Sequence, residues 1–170
     1  SLFLTTEDGY LIAKLPCDES IIALADFTAL VDAQAETSSH FKDLVNATKT
    51  GSDVEKAKAI DVLYEETAPE SRFLLSDKID SFLDLDKKNE TGLVGKYLLA
   101  SANVDAQNAY FDGDIEAAIT AFDQVTKSEF STAEEKQQAY YMAAYTLIQT
   151  GSQDVNRMID LYQKAYDAGP

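Results

Sequence analysis

Between residues 103 and 125, small and apolar side chains recur every three or four positions, interrupted once by Asp112-Gly113-Asp114. That spacing predicts a helix, a tight turn and a second helix carrying Ala118, Ile119, Phe122 and Val125. Small residues and aromatics at these offsets let two antiparallel helices approach closely. The hairpin sets the pattern for the rest of the chain.

The same period extends both ways. Downstream, Thr132 with Glu135 three residues on is a capping-box start. The helix it opens ends at Gly151, and a last helix covers about residues 154–168. Upstream, a long helix is predicted from Thr91 through Tyr97, Leu98, Leu99, Val104, Ala106 and Tyr110 to Phe111. Gly92 and Gly95 near its start point to close backbone packing or to a frayed first turn. Residues 70–85 are predicted as one helix with Phe73, Leu74, Ile79, Phe82 and Leu85, leading into a polar connector at 84–89. Ser52 or Asp53 caps a helix carrying Ala57, Ile60, Leu63 and Tyr64, which Pro69 closes. Residues 40–49 place Phe41, Leu44 and Val45 on one face and stop at Gly51. Before them, Asp18 or Ser20 starts a helix whose stripe is Ile21, Ile22, Leu24, Ala25, Ala29, Leu30 and Val31; Thr37-Ser38-Ser39 either breaks it or is crossed by it.

Residues 1–15 follow a different rule. Two short apolar runs flank Asp8-Gly9, which predicts a β-hairpin with Gly9 at positive φ and Pro16 ending the second strand. A two-stranded hairpin alone is marginal in water, so this one calls for a sheet to join. With Ser1 rather than Met in first place, the expectation is a processed chain or one cut from something longer. The domain division that follows is a β-hairpin at 1–17 and a helical domain at 18–170.

In the last hairpin, Tyr140, Ala143, Ala144 and Leu147 have the large-small-small-large spacing of a tetratricopeptide first helix. Ile159, Tyr162, Ala165 and Pro170 fit its second helix and closing proline, although Met158 stands where a small Ala is usual and the turn is two residues longer than usual. Ala106, Tyr110, Ala118, Ile119, Phe122 and Val125 fit the same scheme with a turn about one residue short, and residues 40–69 fit it faintly. The helical region therefore resembles tetratricopeptide repeats. The resemblance implies a mainly α fold, in which antiparallel hairpins stack as a short right-handed α-solenoid behind the N-terminal β-hairpin. A bundle-like pairing of the first helices is the alternative. The run SLFLTTEDGYLIAKL resembles the strand–turn–strand after the cis-proline of thioredoxin-fold proteins, with residues 19–36 as that fold's last helix. LDLDKKNETGLVGKY then resembles the linker into the helical extension of some secreted bacterial thioredoxin-like proteins. This implies the C-terminal part of such a protein, in a periplasmic or secreted setting. Its thiol–disulfide chemistry is not implied, since no Cys-x-x-Cys occurs and Cys17 matches no redox position. The rival reading makes the hairpin a decoration on a helical domain.

Composition narrows the partners. Fourteen Lys and Arg stand against thirty Asp and Glu, a formal net charge of -16. Nucleic-acid binding, which needs clustered cations to displace counterions from phosphates, is not expected. Neither is docking on anionic membranes, and no apolar run has the length of a membrane span. A basic peptide or protein stays admissible, although acidity is more often solvation alone. Cys17 and His40 are single, so no disulfide within the chain and no Cys- or His-rich metal site is expected. Cys17 is read as an inert small residue, or as a thiol activated by a helix start. Acidic pairs such as Asp84 with Asp86 and Asp112 with Asp114 lack the order of a calcium loop. The expected work of Asp112 and Asp114 is to shape the turn and cap the next helix.

No catalytic constellation and no cofactor site is found. The tetratricopeptide resemblance implies a partner-binding groove at Val104, Asn108, Phe111, Gln138, Tyr141, Tyr145, Ile148 and Gln149. The competing reading packs Tyr141 and Tyr145 against a neighbouring helix. The two-carboxylate clamp of some such domains needs Lys, Asn and Arg, of which only Asn108 is present. The implied function is a scaffold for protein–protein interaction without catalysis of its own. Two alternatives stand beside it: a region that positions substrate for an absent thioredoxin-like active site, and an assembly element whose strands 2–4 and 10–15 pair between two copies.

Overall fold

The computed structural model describes residues 2–5, 11–15, 28–29 and 32–169. The Gly9 turn, Pro16, Cys17, the caps Asp18 and Ser20, most of the first helical stripe and Pro170 lie outside them. The described chain is mainly helical. Leu2–Thr5 (β1) and Leu11–Leu15 (β2) pair antiparallel, Leu2 opposite Leu15 and Leu4 opposite Ala13. The helices divide between two compact units, Ser1–Lys78 and Ile79–Pro170.

In the first unit, α1 (Ala35–Ala47) crosses Thr37-Ser38-Ser39 without a break, and α2 (Asp53–Glu66) returns after Gly51, whose φ of +92° suits glycine. Ser52 is the cap of α2. Its N–H donates to the Glu55 carboxylate at 2.8 Å, and the Glu55 N–H donates to the Ser52 hydroxyl at 3.3 Å. Phe41, Val45, Leu63 and Leu75 form the core between them. One helix over 70–85 is not what forms. Pro69–Leu75 coils as a 3₁₀ helix, and α3 (Ser76–Leu85) follows. The Ser71 N–H bonds the Ala68 carbonyl three residues back, and Arg72 Nε donates to the Thr67 carbonyl at 3.1 Å. These bonds hold the tighter coil while Leu75 enters the core.

The second unit begins within α3, where Phe82 stacks on Tyr97 at 3.7 Å between ring centroids, both fully buried. The connector between them is built on Asp86, which is only 2% exposed. Its carboxylate accepts from the Glu90 N–H (2.6 Å), the Thr91 N–H (3.1 Å) and the Thr91 hydroxyl (2.5 Å). Asn89, at φ +57°, accepts from the Val94 N–H and starts α4 (Val94–Phe111). Gly95 is a close-packing glycine. A Cβ there would lie 2.7 Å from the Phe130 carbonyl oxygen and 2.8 Å from Ser131 Cα, and would also meet the Glu135 carboxylate.

Two helix pairs follow: α4 with α5 (Ile115–Thr120) and α6 (Asp123–Lys127), then α7 (Ala133–Gln149) with α8 (Val155–Ala168). Both first helices end in the same way. The Gly113 and Gly151 N–H groups bond the Tyr110 and Ile148 carbonyls, and the next N–H groups, of Asp114 and Ser152, reach back to Ala109 and Leu147. This is the Schellman pattern with glycine at positive φ (+78° and +67°). Both second helices start on an Asp cap, Asp114 accepting from the Ala117 N–H and Asp154 from the Arg157 N–H, each at 3.0 Å. The second connection differs by inserting Ser152 and Gln153.

The single helix expected to carry Ala118, Ile119, Phe122 and Val125 is two short ones over 115–127. The Thr120 hydroxyl donates to the Glu116 and Ala117 carbonyls, a back-bond that bends helices, and the Phe122 N–H then bonds only three residues back, to Ile119. Leu99, Ala102, Ala106, Ile119, Phe122, Val125, Ala139, Ala143 and Leu147 form the core of this unit. α8 contributes Met158 and Leu161 to it and buries Ala165. Ile159 and Tyr162, which fit the repeat pattern, are exposed with Val155 and Tyr166, because the stripe that turns into this core is 158-161-165. α4 packs on α5 and α6, these pack on α7, and α7 packs on α8. None of the described helices is long and apolar enough to cross a membrane.

Candidate functional site

An opening of about 400 Å³ lies between α4 and α7. Ala106, Phe122 and Met142 give it an apolar base, and the smallness of Ala106 leaves the space. Phe111 and Tyr145 stand at its edge, 75% and 42% exposed, with Tyr110 edge-on to Phe111 at 6.0 Å. The polar groups are Asn103, Gln107, Thr146 and Gln149, and no charged side chain lines the opening. Asn103 donates to the Leu99 carbonyl and Thr146 to the Met142 carbonyl, each at 2.9 Å, so both are held along the walls by their own helices. Rigid aromatics beside adaptable amides suit an extended chain better than a charged metabolite.

The residues expected in one groove divide between two concavities. Phe111, Tyr145 and Gln149 line the α4–α7 opening. Gln138 and Tyr141 line a second one, of about 520 Å³, between α7 and α8, together with Glu134, Gln137, Tyr162, Ala165 and Tyr166. Val104 is half-buried, Asn108 and Ile148 are exposed, and none of the three lines either opening. Tyr141 shares features of both readings made for it: its ring packs edge-on against Tyr162 at 5.8 Å and is still 49% exposed. Asn103, Gln107 and Tyr110 are the α4 residues that the sequence reading missed. They repeat the spacing of Val104, Asn108 and Phe111 but begin one residue earlier, about 100° round the helix. Periodicity alone gives the two rows equal standing; the packing of α4 on α7 brings the whole 103-107-110 row to the opening and, of the other row, Phe111.

Two of the acidic candidates have structural employment. Asp86 serves its loop and Asp114 caps α5. His40 is exposed, with Nε2 3.9 Å from the Glu66 carboxylate. Among the described residues no group of three or more His, Cys, Asp or Glu is arranged to hold a metal. Glu116 and Arg157 form a two-point ion pair at 2.6 and 2.9 Å that ties α5 to α8. The hydrogen bond from Arg157 holds the Glu116 carboxyl below its usual range. On α4, loss of hydration and the neighbouring Asp80 push Asp105 up.

Residues 93–170, which include both concavities, match a family model described as "Uncharacterised protein C-terminal domain". The chain is also similar to an uncharacterized protein of Treponema pallidum (strain Nichols), 29% identical over 120 residues. That match covers 68% of this chain and 38% of the relative, so the chain spans well under half of the relative's length. No solved structure matches.

Proposed function

We propose that the helical region is a peptide- or protein-binding module of tetratricopeptide type, a short solenoid without catalysis of its own, and that it receives its partner in the α4–α7 opening. The carrying observation is Phe111. A phenylalanine three-quarters exposed at the mouth of an uncharged, apolar-based opening is the arrangement of an interface anchor. The shared turn chemistry of the two helix pairs supports the repeat reading. A photo-crosslinking amino acid at Gln107, used in cells of the source organism, tests it. One defined partner should be trapped, and Phe111→Ser should abolish the trapping while leaving the melting temperature within about 1 °C, as expected for an exposed position. Trapping that survives Phe111→Ser would place the interface elsewhere.

A second reading rests on the paired strands β1 and β2, whose outer edges have no further strand among the described residues. They would belong to a thioredoxin-like sheet, and the helices would position substrate for a catalytic domain elsewhere in a longer chain. An upstream gene sequence without Cys-x-x-Cys would eliminate it. In the assembly version of this reading the strands pair between two copies, and a monomer mass by light scattering at high concentration excludes that.

A further inference from the structure

The concavity between α7 and α8 differs in chemistry from the α4–α7 opening. Three tyrosines line it, Tyr141 from α7 and Tyr162 and Tyr166 from α8, with Tyr141 and Tyr162 at an interplanar angle of 63°. Rings meeting at that angle present π-faces in more than one direction. Glu134 is the one charged residue in the lining, and Gln137 and Gln138 add amide oxygens. These acceptors belong to one stripe of α7, since 134, 137, 138 and 141 follow helical spacing. Ala165, small and buried, leaves the base open. The cations of α8 are paired on that helix or with α5, Arg157 with Glu116 and Lys164 with Asp160 at 2.7 Å. The net charge of -16 draws positive ligands toward the whole surface.

From these features we infer that the α7–α8 concavity is a binding site for a guanidinium group, presented as an arginine side chain. Tyrosine faces attract a cation through the ring quadrupole. Glu134 supplies the opposite charge. The acceptors of Glu134, Gln137 and Gln138 select among cations: guanidinium offers five N–H donors in a planar fork, an ammonium offers three, and a quaternary ammonium offers none. The site is separate from the α4–α7 opening and does not depend on its reading.

The experiment titrates the full chain with N-acetyl-arginine methylamide and follows the tyrosine ring signals by NMR. The lysine analogue, the neutral citrulline analogue and tetramethylammonium serve as comparisons. The arginine probe should shift the rings of Tyr141, Tyr162 and Tyr166, and the citrulline probe should bind at least about tenfold more weakly. Tyr162→Leu, which keeps bulk and removes the π-face, and Glu134→Gln should each weaken arginine binding about five- to tenfold at unchanged melting temperature. If Tyr162→Leu unfolds the protein, Tyr166→Leu at the more exposed ring gives the same comparison. Equal binding of citrulline, of tetramethylammonium or by the folded leucine variant overturns the assignment.

Discussion

Replacing Gly95 with Ala pits two opposite expectations against each other. Helix propensity alone predicts a gain, since Ala is better than Gly inside a helix by about 1 kcal/mol. The packing predicts a loss. The new Cβ would lie 2.7 Å from the Phe130 carbonyl oxygen and 2.8 Å from Ser131 Cα, both backbone atoms that cannot rotate away. Relieving those contacts means moving the segment before α7 by roughly half an ångström, an overpacking cost of about 1–3 kcal/mol. The methyl also meets the Glu135 carboxylate, which accepts from the Thr132 N–H at 2.7 Å and completes the cap of α7. Losing that cap costs about 1 kcal/mol more. The balance is a net destabilisation of about 1–3 kcal/mol, or a fall of several degrees in melting temperature for a domain of this size. Urea denaturation followed by far-UV circular dichroism measures it, and Glu135→Ala in the Gly95→Ala background should couple with the first change, because the two share a contact. A Gly95→Ala midpoint at or above the parent's would refute the close approach of α4 to this segment.

Three further outcomes follow from the same structure. Asp86→Ala removes the acceptor of three hydrogen bonds and should cost about 2–4 kcal/mol, seen as a lower urea midpoint; Asp86→Asn, which keeps one carbonyl oxygen, should recover part of it. Asp105 carries a carboxyl raised above 3.8 in the fold, so the folded state holds its proton longer and stability falls as pH rises through that window. Asp105→Asn should therefore melt higher than the parent at pH 7, with the gap closing below pH 3.8. Ser131 buries a hydroxyl with no hydrogen-bond partner, so Ser131→Ala should be neutral or stabilising by up to about 1 kcal/mol by thermal melt, and a large loss would reveal an undetected partner.

Periodicity and capping carried most of the helical architecture into the sequence. Ala106, Ile119, Phe122, Ala143 and Leu147 were legible as core because small and large residues alternate there at helical offsets. The capping box at Thr132 and Glu135 and the glycine at 113 were legible because each has a local mechanism. Long-range geometry was not. Nothing in the spacing of α8 says whether 158-161-165 or 155-159-162-166 turns inward, since both rows are apolar. The split of the expected groove has the same origin: Tyr141 and Tyr145 are one helical turn apart on α7, yet each lines a different opening. The break in 115–127 depends on a Thr120 back-bond that competes with the helix only once the backbone is already coiled. Asp86 was read only as part of the polar connector at 84–89, and its burial became visible only with the N–H groups of Glu90 and Thr91 folded around it.

The matched turns of the two helix pairs have a kinetic consequence. Each contains its own stop, a glycine that satisfies the last carbonyls, and its own start, an aspartate that takes the first free N–H, all within a few residues. Closure of either hairpin therefore waits on no distant part of the chain, and a topology rich in such local contacts belongs to the faster-folding class. The Ser152-Gln153 insertion shows that the connection accepts length between the two signals. Loop-closure entropy grows only slowly with added residues. A short reporter peptide spliced between Ser152 and Gln153 should therefore leave α7 and α8 in register.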